Sequence, residues 1–227
     1  MVRRIVYLAC LLFVMSCGNN NEKSDTAAEQ QTGEKAAADS TQKSKTIVFY
    51  GNSLTAGYGV DPSEAFPALV QHIIDSLNLN YKVVNAGLSG ETTAGGVGRI
   101  DWILRQPVDI FVLELGGNDG LRGIPISETS KNLQTIIDRV KAKYPQATIV
   151  LAGMQVPPNM GRKYASEFRQ VFQQLAQKNK TLLIPFLLED VGGISELNQP
   201  DGIHPNPEGH KIVAKNVWQI LQTALNK

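Results

Sequence analysis

From Thr46 to the C-terminus, short β-branched and aromatic runs alternate with segments whose apolar residues recur at helical spacing. Five runs read as strands: Thr46–Tyr50, Tyr81–Asn85, Ile110–Leu115, Thr148–Ala152 and Leu182–Phe186. The third is apolar enough to be central, and Pro185 points the fifth to a sheet edge. Between them, Phe66, Leu69, Val70, Ile73 and Leu77 share one helix face. Asp61 or Ser63 is the expected cap of that helix, with Pro67 in its first turn. Further helix faces are marked by Val97, Ile100, Ile103 and Leu104, by Leu133, Ile136, Ile137 and Val140, by Tyr164, Phe168, Val171, Phe172 and Leu175, and by Val213, Val217, Ile220 and Leu221. Strands that alternate with helices are joined by right-handed crossovers into a parallel sheet covered on both faces. The expected fold class is therefore α/β, with a five-stranded parallel sheet. Open sheets of this kind bind ligands beyond the carboxyl ends of their strands. Chemistry is expected in the loops Gly51–Val60, Ala86–Gly96, Gly116–Gly123, Gly153–Gly161 and Leu187–Asn206.

Several functions are excluded by composition and by missing motifs. Lys+Arg is 22 against Asp+Glu 21, a net charge of +1, which gives nucleic acid no electrostatic footprint. Two cysteines are too few for a cysteine-rich zinc site or a disulfide framework. The three histidines, His72, His204 and His210, are the only candidates for an imidazole base. There is no G-x-x-x-x-G-K-[ST], no G-x-G-x-x-G after the first strand, no H-E-x-x-H and no G-x-S-x-G. No cofactor and no metal are expected.

The first 45 residues carry no fold signal. Arg3 and Arg4 precede an apolar stretch, Ile5–Met15, that is short for a membrane span and reads as a secretion signal. Val14-Met-Ser-Cys17 resembles a bacterial lipobox, which implies cleavage before Cys17 and lipid on its sulfur, with Cys10 lost in the signal. The other reading is a plain signal peptide with an incidental cysteine. Residues 18–45 contain no Val, Ile, Leu, Phe, Tyr or Trp, so they are expected to be a disordered tether. Such a coil spans roughly 30 Å. The organisation expected is thus a signal over residues 1–17, a tether over 18–45 and one folded domain over 46–227. The domain would be lipid-anchored in a bacterial cell envelope, facing the periplasm or the cell surface.

Four loop motifs carry the chemistry. Gly51-Asn-Ser-Leu54 leaves the first strand and places the Ser53 hydroxyl at the sheet's carboxyl edge, near backbone N–H groups at the start of a helical turn. Read alone, Ser53 is a turn serine bonded to its own backbone. Asp201-Gly-Ile-His204 follows the last strand. An Asp and a His three apart on a tight turn can meet, with the carboxylate on Nδ1–H and Nε2 left free for a serine. Read alone, this is a surface turn, while His210 and His72 have better structural readings. Asn118, in Gly116-Gly-Asn-Asp119, can donate its amide to a developing oxyanion, and Gly90, without a Cβ, lets its N–H approach a substrate oxygen closely.

Together these four blocks resemble those of the SGNH (GDSL-type) hydrolases, in order and each after a strand. Gly116-Gly-Asn-Asp-Gly-Leu-Arg-Gly123 and Asp201-Gly-Ile-His-Pro-Asn206 look like the branch that contains thioesterase I/lysophospholipase L1 and its arylesterase relatives. The resemblance runs from Thr46 to the C-terminus. It implies a flavodoxin-like three-layer α/β/α sandwich and a serine esterase acting on lysophospholipids, aryl esters or acyl thioesters. Ser53 would be the nucleophile, Asp201 and His204 its triad partners, and Ser53, Gly90 and Asn118 the oxyanion hole. One position departs: the first block usually reads Gly-Asp-Ser-Leu, and here Asn52 replaces the Asp. That Asp is not the triad carboxylate, but a lost charge beside the nucleophile bears on rate and pH dependence.

Gly153–Gly161 looks like the family's mobile loop at the acyl pocket, so Met154, Val156 and Met160 are expected to line an apolar groove, closed on the other side by Phe186, Leu187 and Leu188. Medium acyl chains should then be preferred over acetyl. Two alternatives remain: an acetylesterase acting on decorated polysaccharide, and a non-catalytic binding lipoprotein that kept the fold.

Overall fold

The computed structural model describes residues 43–225. The expected signal, Cys17 and nearly all of the expected tether lie outside the described residues. In chain order the elements are β1 (Lys45–Gly51), α1 (Ser53–Ala56), α2 (Phe66–Ser76), β2 (Tyr81–Gly87), α3 (Thr93–Ile103), β3 (Ile110–Glu114), α4 (Gly117–Leu121), α5 (Ile126–Lys143), β4 (Thr148–Ala152), α6 (Arg162–Asn179), β5 (Leu182–Ile184) and α7 (Pro207–Leu225).

The strands form one parallel sheet in the order β2-β1-β3-β4-β5. The chain leaves β1 in one direction to reach β2, then returns across β1 to β3 and continues outward. Crossovers of one hand on opposite headings put their helices on opposite faces. Accordingly α2 packs with α7, while α5 packs with both α3 and α6. The reversal leaves β1 and β3 side by side with their loops diverging, which is where such sheets open a crevice. Ser53 follows β1 and Asn118 follows β3, so both stand at that crevice.

Burial explains the strand pattern. Ile47, Val48, Phe49 and Tyr50 of β1 are fully buried, and β3 is buried at every position. Each such side chain contributes roughly 1.5–3 kcal/mol when removed from water. The edge strand β5 has only three residues rather than the five expected. It stops before Pro185, which has no N–H for the ladder. The chain instead turns back, with Gly153 N–H donating to Ile184 O and Leu187 N–H to Gly153 O.

The start of α2 also differs from expectation. Asp61 and Ser63 do not cap it; Asp61 Oδ1 accepts from the Ser63 N–H and hydroxyl within their own turn. The residue before the helix is Ala65, which has no side-chain acceptor. The acceptor comes from across the sequence: His210 Nδ1 takes the Phe66 N–H at 3.3 Å, and the two rings stack. A protonated Nδ1 cannot accept, and His210 is 1% exposed. Burial, with a smaller push from His204, lowers the His210 pKa to about 4.

A pH-dependent stability follows. The folded pKa lies below the unfolded value, so the stabilisation from neutral His210 is complete above about pH 6.5 and is lost as pH falls towards 4. Over that window it amounts to about 3 kcal/mol. His210→Asn keeps an acceptor but has no imidazole to protonate. It should be less stable than wild type at neutral pH by roughly 1–3 kcal/mol, and the gap should close towards pH 4. Urea midpoints at both pH values check this, and parallel losses at both would contradict it.

Candidate active site

Asn52 sets the local geometry of Ser53. Its Oδ1 accepts the Leu54 N–H at 3.0 Å and so caps α1, while Ser53 begins the helix with its Oγ 3.4 Å from the same oxygen. Ser53 is 8% exposed.

The histidine arrives on a turn that its own aspartate builds. Asp201 Oδ1 accepts the N–H groups of Ile203 (3.0 Å) and His204 (3.1 Å), which closes the loop around Gly202 at φ +73°. The other oxygen, Oδ2, lies 2.7 Å from His204 Nδ1, and His204 Nε2 lies 2.9 Å from Ser53 Oγ. The expected Ser53–His204–Asp201 chain is thus assembled across 151 residues of sequence. Partial burial pushes the Asp201 pKa up, but the hydrogen bonds from Ile203 and His204 outweigh it and hold the carboxyl below the ordinary range.

Two latches hold this turn against the serine loop. Gln199 Nε2 donates to Tyr58 O at 2.6 Å and to Pro205 O at 3.0 Å, joining the Ser53 loop to the His204 loop. The Tyr58 ring lies 4.7 Å from the His204 ring, centre to centre.

The expected oxyanion donors belong to neighbouring segments. One N–H of the Asn118 amide goes to Glu91 O at 3.1 Å, which orients the amide plane and leaves its second N–H. Among the described residues, the Ser53 and Gly90 N–H groups have no protein acceptor. Gly90 has φ +79° in open space, so its lack of a side chain serves the backbone conformation. Arg99 grips the Glu91 carboxylate with Nε and Nη2, donates to Ala86 O and lies over the Tyr50 ring, fixing the loop that carries Gly90. Asp119, fully buried, accepts the Thr93 N–H and hydroxyl and so ties the Asn118 segment to the start of α3.

The expected pocket residues are placed less uniformly. Met154 is buried beside Gly117: a Cβ on that glycine would lie 3.3 Å from Met154 Cε and 3.6 Å from Asn52 Nδ2. Val156 packs between Gly120 and the core, and half-buried Met160 lies near Gly123. Phe186 directs its ring tip towards Gly192 in its own loop, and Leu187 is fully buried. A separate surface concavity of about 410 Å³, lined by residues of α3 and α5 such as Asp101 and Arg139, contains no nucleophile–base pair.

Sequence reasoning missed Glu114. It is the last residue of β3, fully buried, and accepts from Asn52 N–H (3.0 Å), Asn52 Nδ2 (2.7 Å) and Thr55 Oγ1 (2.8 Å). Burial pushes its pKa up to about 7, against the pull of those hydrogen bonds. The available signal was an acid inside an otherwise apolar central strand. Gln199 and the Arg99–Glu91 pair left no comparable mark.

The model of the GDSL-like Lipase/Acylhydrolase family matches residues 49–212, the span that holds every residue of this arrangement. The chain belongs to that family. Among GDSL relatives, the esterase TesA of Pseudomonas aeruginosa is 38% identical over 182 residues, covering 80% of this chain and 90% of its own. Thioesterase 1/protease 1/lysophospholipase L1 of Escherichia coli is 37% identical over 182 residues, with 80% and 85% covered. The crystal structure of the psychrotrophic esterase EstA from Pseudoalteromonas sp., inhibited by monoethylphosphonate, is similar with a TM-score of 0.75 at 32% identity. That match covers 81% of this chain and all of that one.

Proposed function

We propose that the protein is a serine esterase that cleaves acyl esters, of the lysophospholipid, aryl ester or acyl thioester type, through an acyl-enzyme on Ser53. The observation that carries this reading is the continuous chain from Ser53 Oγ through His204 to Asp201, at 2.9 and 2.7 Å. His204 Nε2 takes the hydroxyl proton as Oγ attacks the acyl carbonyl. The resulting oxyanion is met by the N–H groups of Ser53 and Gly90 and by the Asn118 amide, and each such donor typically accounts for about 3–4 kcal/mol. His204 then gives its proton to the leaving alkoxide, phenoxide or thiolate. Water, deprotonated by the same nitrogen, attacks the acyl-enzyme and releases the acid. Asp201 holds Nδ1–H and stabilises the imidazolium. The apolar residues Met154 and Met160 beside the Asn118 segment favour medium acyl groups over acetyl.

A fluorophosphonate probe followed by peptide mass mapping tests the nucleophile, and label on Ser53 alone is expected. A p-nitrophenyl ester series should peak at medium chain length. No label on Ser53 would overturn the esterase reading, and a sharp maximum at acetate would move the substrate to acetylated carbohydrate.

A further inference from the structure

A carboxylate that no cation neutralises is costly inside a fold, and an apolar residue in its place is often as stable or more so. Glu114 is such a group. It pairs in register with Gly51. Its partners at the junction of β1 and α1 are the backbone N–H and side-chain NH₂ of Asn52 and the hydroxyl and N–H of Thr55, none titratable. The neighbouring strand β4 ends beside it in Leu151 and Ala152. Among the described residues no charged group faces it. The central strand thus carries an expensive residue whose hydrogen bonds all go to the two residues flanking Leu54 and the nucleophile.

We propose that Glu114 is a positioning residue for the nucleophile: by taking the Asn52 N–H, the Asn52 Nδ2 and the Thr55 hydroxyl, it fixes which way the Asn52 amide faces and so holds the Ser53 hydroxyl towards His204. This rests on Ser53 being the nucleophile. An asparagine amide has a donor end and an acceptor end. Because Glu114 Oε1 claims the donor end, Oδ1 is left for the Leu54 N–H and lies 3.4 Å from Ser53 Oγ. If the amide flipped, NH₂ would confront the Leu54 N–H, and the turn presenting Ser53 would lose its cap. Misplacement of a reacting group by about 1 Å can cost a hundredfold in rate.

The logic can be reversed by exchanging the two side-chain types. Glu114→Gln sets a donor against the Asn52 NH₂ and should lower kcat roughly 10- to 100-fold with KM little changed. Asn52→Asp sets two carboxyls face to face, which must share a proton. Its kcat should approach wild type at the acid end of the profile and fall increasingly below it as pH rises. The double variant Asn52→Asp/Glu114→Gln restores one donor facing one acceptor, with the second Asp oxygen free to cap Leu54. It should recover to within about fivefold of wild type and lose the pH-dependent deficit of Asn52→Asp.

The measurement is kcat and KM for p-nitrophenyl butyrate across pH, per active site counted by fluorophosphonate. Wild-type kcat in folded Glu114→Gln, or a double variant no better than that single variant, overturns the positioning role. If Glu114→Gln does not fold, the Asn52→Asp profile and its rescue decide the question. Failure of the wild type to label would sink the esterase reading instead, which separates the two outcomes.

Discussion

Ser53→Ala should lose about a millionfold in kcat on a p-nitrophenyl ester, close to the full catalytic contribution of a triad, because its members act as one unit. The residual rate would come from the oxyanion donors and from binding. Among the described residues, Ser53 Oγ is the atom at the crevice positioned for attack, with a base 2.9 Å away. The substitution should leave the fold intact: α1 is capped by Asn52 Oδ1 on the Leu54 N–H, and the histidine turn is closed by Asp201 and Gln199. Kinetics on the purified variant, with its melting temperature as control, give the answer. A folded Ser53→Ala variant with a substantial fraction of wild-type activity would place the nucleophile elsewhere.

Asp201→Asn should cost about 10⁴ in kcat at neutral pH, on the scale seen for a triad carboxylate changed to an amide. The cause is a tautomer, not a collapse of the turn. Asp201 uses Oδ1 for the Ile203 and His204 N–H groups and Oδ2 for His204 Nδ1. An asparagine keeps the first oxygen but presents NH₂ to Nδ1, so the imidazole proton moves to Nε2. That nitrogen then donates to Ser53 instead of accepting from it. Since its hydrogen bonds hold Asp201 ionised below the usual carboxylate range, the acid limb of the wild-type rate profile should not follow this residue. Stopped-flow measurement of acylation would isolate the step, and an acylation rate within tenfold of wild type would remove Asp201 from the mechanism.

The sheet and the gathering of Ser53, His204 and Asp201 at its edge were legible in the sequence for a shared reason. Fully buried strands such as Ile47–Tyr50 must be apolar runs, and loops at their carboxyl ends must carry whatever chemistry exists. Periodicity failed where local pattern does not decide. The short helix α4 is built from Gly117-Asn-Asp-Gly-Leu121, which has no apolar period, and depends on Asp119 bonding to Thr93. The start of α2 takes its acceptor from His210, 144 positions away, so no capping residue near Ala65 could have announced it. The pocket residues were recognisable as apolar, yet Val156 and Leu187 are spent largely on the core. Glu114 was visible as an anomaly within β3, but its meaning required the register that sets Gly51 beside it.

The Gln199 clamp has a bearing on how such an enzyme can be redesigned. It welds the segment after β1 to the segment after β5, so inserting or deleting residues in either would drag nucleophile and base out of step. Among the described residues, the stretch from Met154 to Met160 makes no hydrogen bond to either welded segment. Met154 and Val156 are buried against the core and must keep their size, but exposed Gln155 and Asn159 and half-buried Met160 are free to change, which makes those positions the natural place to graft a new acyl preference while the reaction centre stays as it is.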